Sequence, residues 1–169
     1  MISHADLVFA GHQWLRFSVR PRCYVVLSEI ASAVQETPDV IGWASGFSTL
    51  VECKTSRADF IADRKKTFRR DPTRGMGYHR WYLTERGLLQ PEEIPERWGL
   101  AELHGSRIFK KKKPEPFFER NWQNEMHLLS SAVRRLDTGQ GLQVFVPNAE
   151  RPIVVRPGPV RLLAYTEAS

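Results

Sequence analysis

The stretch from Pro38 to Lys54 reads PDVIGWASGFSTLVECK and contains two apolar, β-branched runs separated by a short Ser-Gly loop. The two runs predict a pair of strands that form a hairpin. Because alternate residues of a strand face the same way, Glu52 and Lys54 should project together. The hairpin can also bring Asp39 beside Glu52, so that two carboxylates and a lysine meet at one edge of a sheet.

Such a grouping of charged side chains suits phosphodiester hydrolysis. Two carboxylates can hold Mg²⁺, which neutralises phosphate charge and lowers the pKa of a bound water. A lysine can orient or deprotonate that water and stabilise charge in the transition state. The spacing alone is unspecific, because a surface Glu–Lys pair and an unrelated turn aspartate give the same pattern. The residues by themselves therefore leave a catalytic and a purely structural interpretation open.

The segments around this hairpin predict an α/β fold. Ser3 is placed to cap a helix that runs to about residue 18, and Ser56 to cap a second helix, with Asp59 at capping-box spacing. Strands are predicted over 23–27, 40–43, 49–54, 80–84, 100–103 and 107–110. Alternating strands and helices favour a central mixed sheet flanked by helices.

A last helix is predicted from six apolar residues spaced by three and four positions. They are Phe118, Trp122, Met126, Leu129, Val133 and Leu136. This spacing places them on one side of a helix, which we expect to pack into the core.

The length of 169 residues and the hydrophobic fraction of 41% suit one domain. We expect its core over about residues 1–136. A proline-rich extension over about 137–169 contains short apolar runs, which we expect to form edge strands against the body of the fold.

The net charge of +6 weakly indicates a polyanionic partner such as nucleic acid. A soluble basic protein without such a partner can have the same charge. The two cysteines, Cys23 and Cys53, lack the spacing of a zinc site or a disulfide scaffold. No signal peptide or membrane-spanning run is visible, so a cytoplasmic protein without membrane contact is expected.

The set Pro38-Asp39…Glu52-Cys53-Lys54 resembles the signature of the PD-(D/E)XK nuclease superfamily. The run over residues 52–66, ECKTSRADFIADRKK, resembles the MmcB-like DNA-repair proteins and related phage and bacterial nucleases. The likeness extends over roughly residues 24–103 and includes the segments 80–83 and 91–100. It implies a restriction-endonuclease-like fold and a metal-dependent nuclease that acts on DNA, with RNA not excluded.

The resemblance also implies roles for matching residues. Asp39 and Glu52 would ligate Mg²⁺, or Mn²⁺ as a substitute, with the backbone carbonyl of Cys53 as a further ligand and Lys54 acting on the water. Glu29, at the end of a strand, is a candidate metal or second-sphere group, or an ordinary exposed glutamate. Candidate nucleic-acid contacts are Arg57, Lys65, Lys66, Arg69, Arg70 and Arg80; part of their charge also suits the C-terminal end of a helix. Asp59 and Asp63 are expected to orient the helix.

Two other functions remain compatible with the sequence. One is a nucleic-acid-binding module that keeps the fold without catalysis, and the other is a structural subunit whose basic faces bind an acidic protein. The five histidines, His4, His12, His79, His104 and His127, lack metal-ligand spacing in the sequence. The oligomeric state is not predicted.

Overall fold

A computed structural model describes residues 2–30, 36–138, 142–144 and 153–155. Its centre is one six-stranded mixed sheet, in the order β1 to β6, with helices on both faces. The strands are β1 (Val25–Ser28), β2 (Val40–Ala44), β3 (Phe47–Lys54), β4 (His79–Glu85), β5 (Gly99–His104) and β6 (Arg107–Lys112). This arrangement confirms the predicted α/β architecture.

The direction of the strands decides which residues meet at the sheet edge. β2 is antiparallel to both β1 and β3, whereas β3, β4 and β5 run parallel, and β6 is antiparallel to β5. The carboxyl end of β3 therefore lies beside the end of β1 and the start of β2. Val40 pairs with Val51, so Asp39 enters the hairpin next to Glu52, as the sequence predicted.

Within the described residues, four α-helices flank the sheet: α1 (His4–Gln13), α2 (Arg57–Arg64), α3 (Thr67–Arg70) and α4 (Trp122–Asp137). The predicted caps are present, since Ser3 accepts a hydrogen bond from Asp6 N–H and Ser56 from Asp59 N–H. A π-helical segment, Trp14–Ser18, extends α1 to the predicted length.

Each face of the sheet has its own apolar core. Leu7 of α1 packs with Val51, Cys53 and other buried residues on one face. On the other face, Phe60 of α2 and Leu128 of α4 join a cluster that includes Leu50 and Tyr82. Glu52 and Lys54 alternate with Val51 and Cys53, so they point toward the second face.

The prediction that the apolar side of α4 faces the core is wrong. Trp122, Met126 and Val133 are 57%, 52% and 64% exposed, and Phe118, just before the helix, is 73% exposed. The helix instead buries the adjacent side, formed by Glu125, Leu128 and Ala132. Glu125 is held there because its carboxylate accepts hydrogen bonds from Ser48 Oγ and Gly77 N–H, both at 2.9 Å. A buried carboxylate with several donors can thus decide the orientation of a helix that has more apolar residues on another side.

Two short strands follow α4. β7 (Leu142–Val144) and β8 (Ile153–Val155) pair with each other in a separate antiparallel sheet and do not extend the six-stranded sheet, contrary to the expected edge strands. The prolines of this extension lie outside the described residues. None of the helices in the part of the chain that the structure describes is both long and apolar enough to cross a bilayer.

Candidate active site

Asp39 lies at the start of β2, where its side chain is 17% exposed. Its Oδ2 accepts a hydrogen bond of 2.7 Å from the backbone N–H of Cys53. Its own carbonyl accepts a bond of 3.0 Å from the N–H of Glu29. These two bonds connect β1, β2 and β3 at one end of the sheet, so Asp39 and Glu29 lie beside the Glu52-Cys53-Lys54 strand.

Glu52 is buried in the sheet and only 2% exposed. Its Oε1 lies 2.6 Å from a guanidinium nitrogen of Arg69, and its Oε2 lies 3.3 Å from Lys54 Nζ. Burial raises the pKa of Glu52 to about 7; Arg69 and Lys54 oppose this shift, and the nearby charge of Asp39 adds to it. The sequence predicts this side chain at one edge of the sheet, but the structure buries its carboxylate beneath Arg69 of α3.

Lys54 is surrounded by carboxylates and its side chain is 5% exposed. Besides Glu52, its Nζ lies 3.6 Å from Asp63 and 3.9 Å from Asp59. Burial alone would lower the pKa of Lys54, but Glu52, Asp63 and Asp39 outweigh it and raise the pKa above its usual value. Lys54 is consequently an ammonium ion at neutral pH.

Arg69 forms the centre of this charge network, and its predicted role as a phosphate contact is wrong. The guanidinium is 3% exposed and forms ion pairs with Glu36, Glu52 and Asp63, the last at 2.9 Å. Burial would raise the pKa of Asp63, but Arg69 and Lys54 outweigh it and hold that pKa well below its usual range. Asp63 thus orients α2, as expected, through buried ion pairs.

Arg80 also lies inside the protein, so its predicted role as a nucleic-acid contact is wrong. Its residue is fully buried, and its guanidinium donates hydrogen bonds of 2.9 Å to the carbonyls of Pro72 and Gly75. The guanidinium carbon stacks 4.0 Å from the ring centre of Phe117. Burial lowers the pKa of Arg80 to about 10. Arg80 therefore organises the loop that precedes β4.

The other predicted nucleic-acid contacts remain on the surface. Lys65 and Arg70 are exposed around the α2–α3 turn. Lys66 is 48% exposed, with its Nζ 2.8 Å from Asp63. Arg57 is 56% exposed and forms an ion pair with Glu93. Lys65 and Arg70 are thus the clearest candidates for contact with a phosphate.

His4 was missed by the sequence analysis because it lies 25 residues before Glu29, a separation that shows no ligand spacing. Its Nε2 lies 3.3 Å from Glu29 Oε1 and 3.5 Å from Asp39 Oδ1. The bond to Asp39 raises the pKa of His4, partly offset by burial. Glu29 adopts a left-handed backbone with φ of 47°, which is uncommon for a residue other than glycine.

The donor set at this end of the sheet suits a divalent cation. Glu29 and Asp39 offer partly exposed carboxylate oxygens, whereas the buried carboxylate of Glu52 is paired with Arg69 and Lys54. Cys53 is fully buried, and burial raises the pKa of its thiol well above the usual value, so it contributes through its backbone and not as a thiolate. Oxygen donors of this kind are the ligands that Mg²⁺ and Mn²⁺ accept.

Comparison with known proteins gives a fold and no function. No family model and no curated protein matches the chain. A solved structure of a protein of unknown function from Silicibacter pomeroyi is similar, with a TM-score of 0.60 and 20% identity over 81% of this chain and 91% of that chain. At this identity the likeness demonstrates a shared fold alone.

Proposed function

We propose that the protein is a divalent-metal-dependent nuclease that hydrolyses DNA phosphodiester bonds, in DNA repair, recombination or phage DNA processing, and that it belongs with the PD-(D/E)XK enzymes that it resembles. The observation that carries the proposal is the bond between Asp39 and the Cys53 amide. It joins the aspartate to the strand that presents Glu52 and Lys54, as a carboxylate–carboxylate–lysine site requires.

Asp39 and Glu52 would hold the metal, with the Cys53 carbonyl and Glu29 as further ligands. A divalent ion bound there supplies charge neutralisation and a water of lowered pKa. Burial raises the pKa of Glu52, so a divalent cation bound beside it would favour the ionised carboxylate.

Lys54 would act as a cation and not as a base. Its raised pKa keeps the ammonium protonated at neutral pH, so it can donate hydrogen bonds to the water or to a phosphate oxygen. Charge that develops on the phosphate is then stabilised by a preorganised donor in a site with little water, where such an interaction is strong.

The substrate would approach across the α2–α3 surface. Lys65 directly follows α2 and Arg70 ends α3, and both can contact phosphates without reading the base sequence. Arg69 and Arg80 are excluded from this surface by their burial.

The second candidate is a nucleic-acid-binding module without catalysis. It is favoured by one specific observation: the carboxylate of Glu52 is already paired with two cations, Arg69 and Lys54. A carboxylate that is balanced internally can serve stability alone. In this alternative the basic surface binds nucleic acid and no metal is required.

Cleavage assays separate the two candidates. Chelator-treated full-length protein would be incubated with Mg²⁺ or Mn²⁺ and single-stranded DNA, duplex DNA, branched DNA and RNA. The nuclease proposal expects metal-dependent cleavage that falls about a hundredfold or more in Asp39→Asn. The matched control is Glu92→Gln, which removes a charge from an exposed turn. Salt-sensitive DNA binding without cleavage of any substrate would instead support the binding module.

A further inference from the structure

Three side chains from separate parts of the chain bring possible metal-binding atoms close together. His4 comes from the first turn of α1, Glu29 follows β1, and Asp39 precedes β2. One donor atom from each lies within 4.8 Å of the other two. Among the described residues, no other group of three or more histidine, cysteine or acidic side chains meets this criterion. Their side chains are 43%, 29% and 17% exposed, so an ion can reach them from solvent.

The spacing of these atoms matches ligands around a single ion. Neighbouring ligands of an octahedral ion with bonds of about 2.1 Å lie roughly 3 Å apart. His4 Nε2 lies 3.3 Å from Glu29 Oε1 and 3.5 Å from Asp39 Oδ1. These distances are slightly longer than the spacing of neighbouring ligands, and small movements of partly exposed side chains can make up the difference. Asp39 is already oriented, because its other oxygen accepts the bond from the Cys53 amide.

The chemistry of the donors decides which ion is preferred. Carboxylates alone suit Mg²⁺, whereas an imidazole nitrogen favours first-row transition metals. We propose that His4, Glu29 and Asp39 bind one first-row divalent transition-metal ion in preference to Mg²⁺, with His4 as the ligand that sets this preference. The inference rests on the proposed function in that it concerns the metal of the same site.

Glu52 would add to this ligand set only weakly, because its carboxylate is buried and already held. Both of its oxygens face cations, Arg69 and Lys54, so the most accessible metal ligands at this end of the sheet are the three named. His4 therefore replaces some of the ligand strength that a buried, ion-paired Glu52 does not freely supply.

Mn²⁺ is the probe of choice, because its binding and its nitrogen ligands can be detected without any assay of cleavage. Chelator-treated full-length protein would be titrated with Mn²⁺ and, separately, Mg²⁺ by calorimetry. Pulsed electron paramagnetic resonance of the Mn²⁺ complex would then report modulation from a coordinated imidazole nitrogen. The variants are His4→Ala and Asp39→Asn, with His127→Ala on the exposed side of α4 as the matched control.

The inference expects one Mn²⁺ per chain, bound more tightly than Mg²⁺, with a nitrogen signal in wild type and in His127→Ala. His4→Ala should lose the nitrogen signal and bind Mn²⁺ about tenfold or more weakly, since even changes to groups beyond the ligands cost that much. The Mg²⁺ affinity should fall less, so that the ratio of the two affinities drops.

Two results would overturn it. If Mn²⁺ binds and Asp39→Asn weakens it, but no nitrogen signal is present, then His4 is not a ligand while the proposed metal-dependent nuclease stands. If wild-type protein binds neither ion at millimolar concentration, both the inference and the metal in the proposed function are wrong. Melting curves of each variant exclude unfolding as the cause, and a destabilised His4→Ala would be replaced by His4→Gln, which keeps a polar side chain on the helix.

Discussion

The backbone N–H of Cys53 donates a 2.7 Å hydrogen bond to Oδ2 of Asp39, a residue 14 positions earlier in the chain. The bond leaves Oδ1 facing His4. One carboxylate thus uses its two oxygens differently, the first to fix its position against β3 and the second to meet a partner at the mouth of the site.

The Asp39–His4 contact predicts a titration that NMR can follow. Because the bond to Asp39 raises the pKa of His4 above 6.5, it stabilises the folded metal-free protein at pH values below 6.5. That contribution is lost as the pH rises through the raised pKa. In Asp39→Asn the pKa of the His4 ring, read from its chemical shifts, should fall toward its ordinary value. An unchanged pKa would show that Asp39 does not govern this imidazole.

A second prediction concerns the adjacent residues Arg69 and Arg70. Arg69→Met should destabilise the protein by about 3–5 kcal/mol, because it leaves Glu36, Glu52 and Asp63 without their common buried cation. Arg70→Met removes the same charge from the exposed neighbouring position and should change stability by no more than about 0.5 kcal/mol. Urea unfolding of both variants tests the contrast, and equal losses would argue against the buried network.

The raised pKa of Glu52 predicts how stability depends on pH when no metal is bound. The pKa rises from 4.5 to about 7 on folding, so the stabilisation is complete below pH 4.5 and is lost as the pH increases through 7. The free energy of unfolding in chelator should therefore fall between pH 5 and pH 8. Glu52→Gln cannot titrate, and most of this fall should be absent from it; a parallel pH profile in wild type and variant would contradict the assignment.

Because the apolar side of α4 is exposed, we expect truncation of an apolar residue there to cost little stability, in contrast to truncation on the buried side. Leu128→Ala should cost about 2–5 kcal/mol, because Leu128 is 1% exposed within the core. Val133→Ala, at a position that is 64% exposed, should change the free energy of unfolding by about 0.5 kcal/mol or less. A large loss for Val133→Ala would mean that this side of the helix is covered in solution.

The basic α2–α3 surface predicts a change in the salt dependence of DNA binding. Lys65→Glu should weaken binding and reduce the log–log salt slope by about 0.9 if it removes one duplex phosphate contact. Arg134→Glu, an equal charge reversal on exposed α4, serves as the control and should leave the slope unchanged. Equal effects of both variants would point to a diffuse attraction by net charge instead of a defined surface.

The sequence by itself determined the elements that depend on local physics. Alternation of apolar and polar residues defined β3 and placed Glu52 and Lys54 on one side, and the Ser3 and Ser56 caps marked the starts of their helices. The pairing of the β2–β3 hairpin followed from its short loop, so the approach of Asp39 to the Glu52 strand was predictable from nearby residues alone.

Tertiary structure alone decided which charged side chains are buried and which partners they meet. Arg69 and Arg70 are neighbours on a basic segment, yet only Arg69 turns inward. It does so because Glu36, 33 residues earlier, Glu52 and Asp63 place their carboxylates where its guanidinium can pair with them. His4 meets Asp39 only because α1 packs with its first turn at that end of the sheet. For α4, hydrogen bonds to Glu125 selected the covered side over a more apolar one. A local pattern contains no information on such distant partners, since burying a charge is favourable only where the fold supplies its counter-charge.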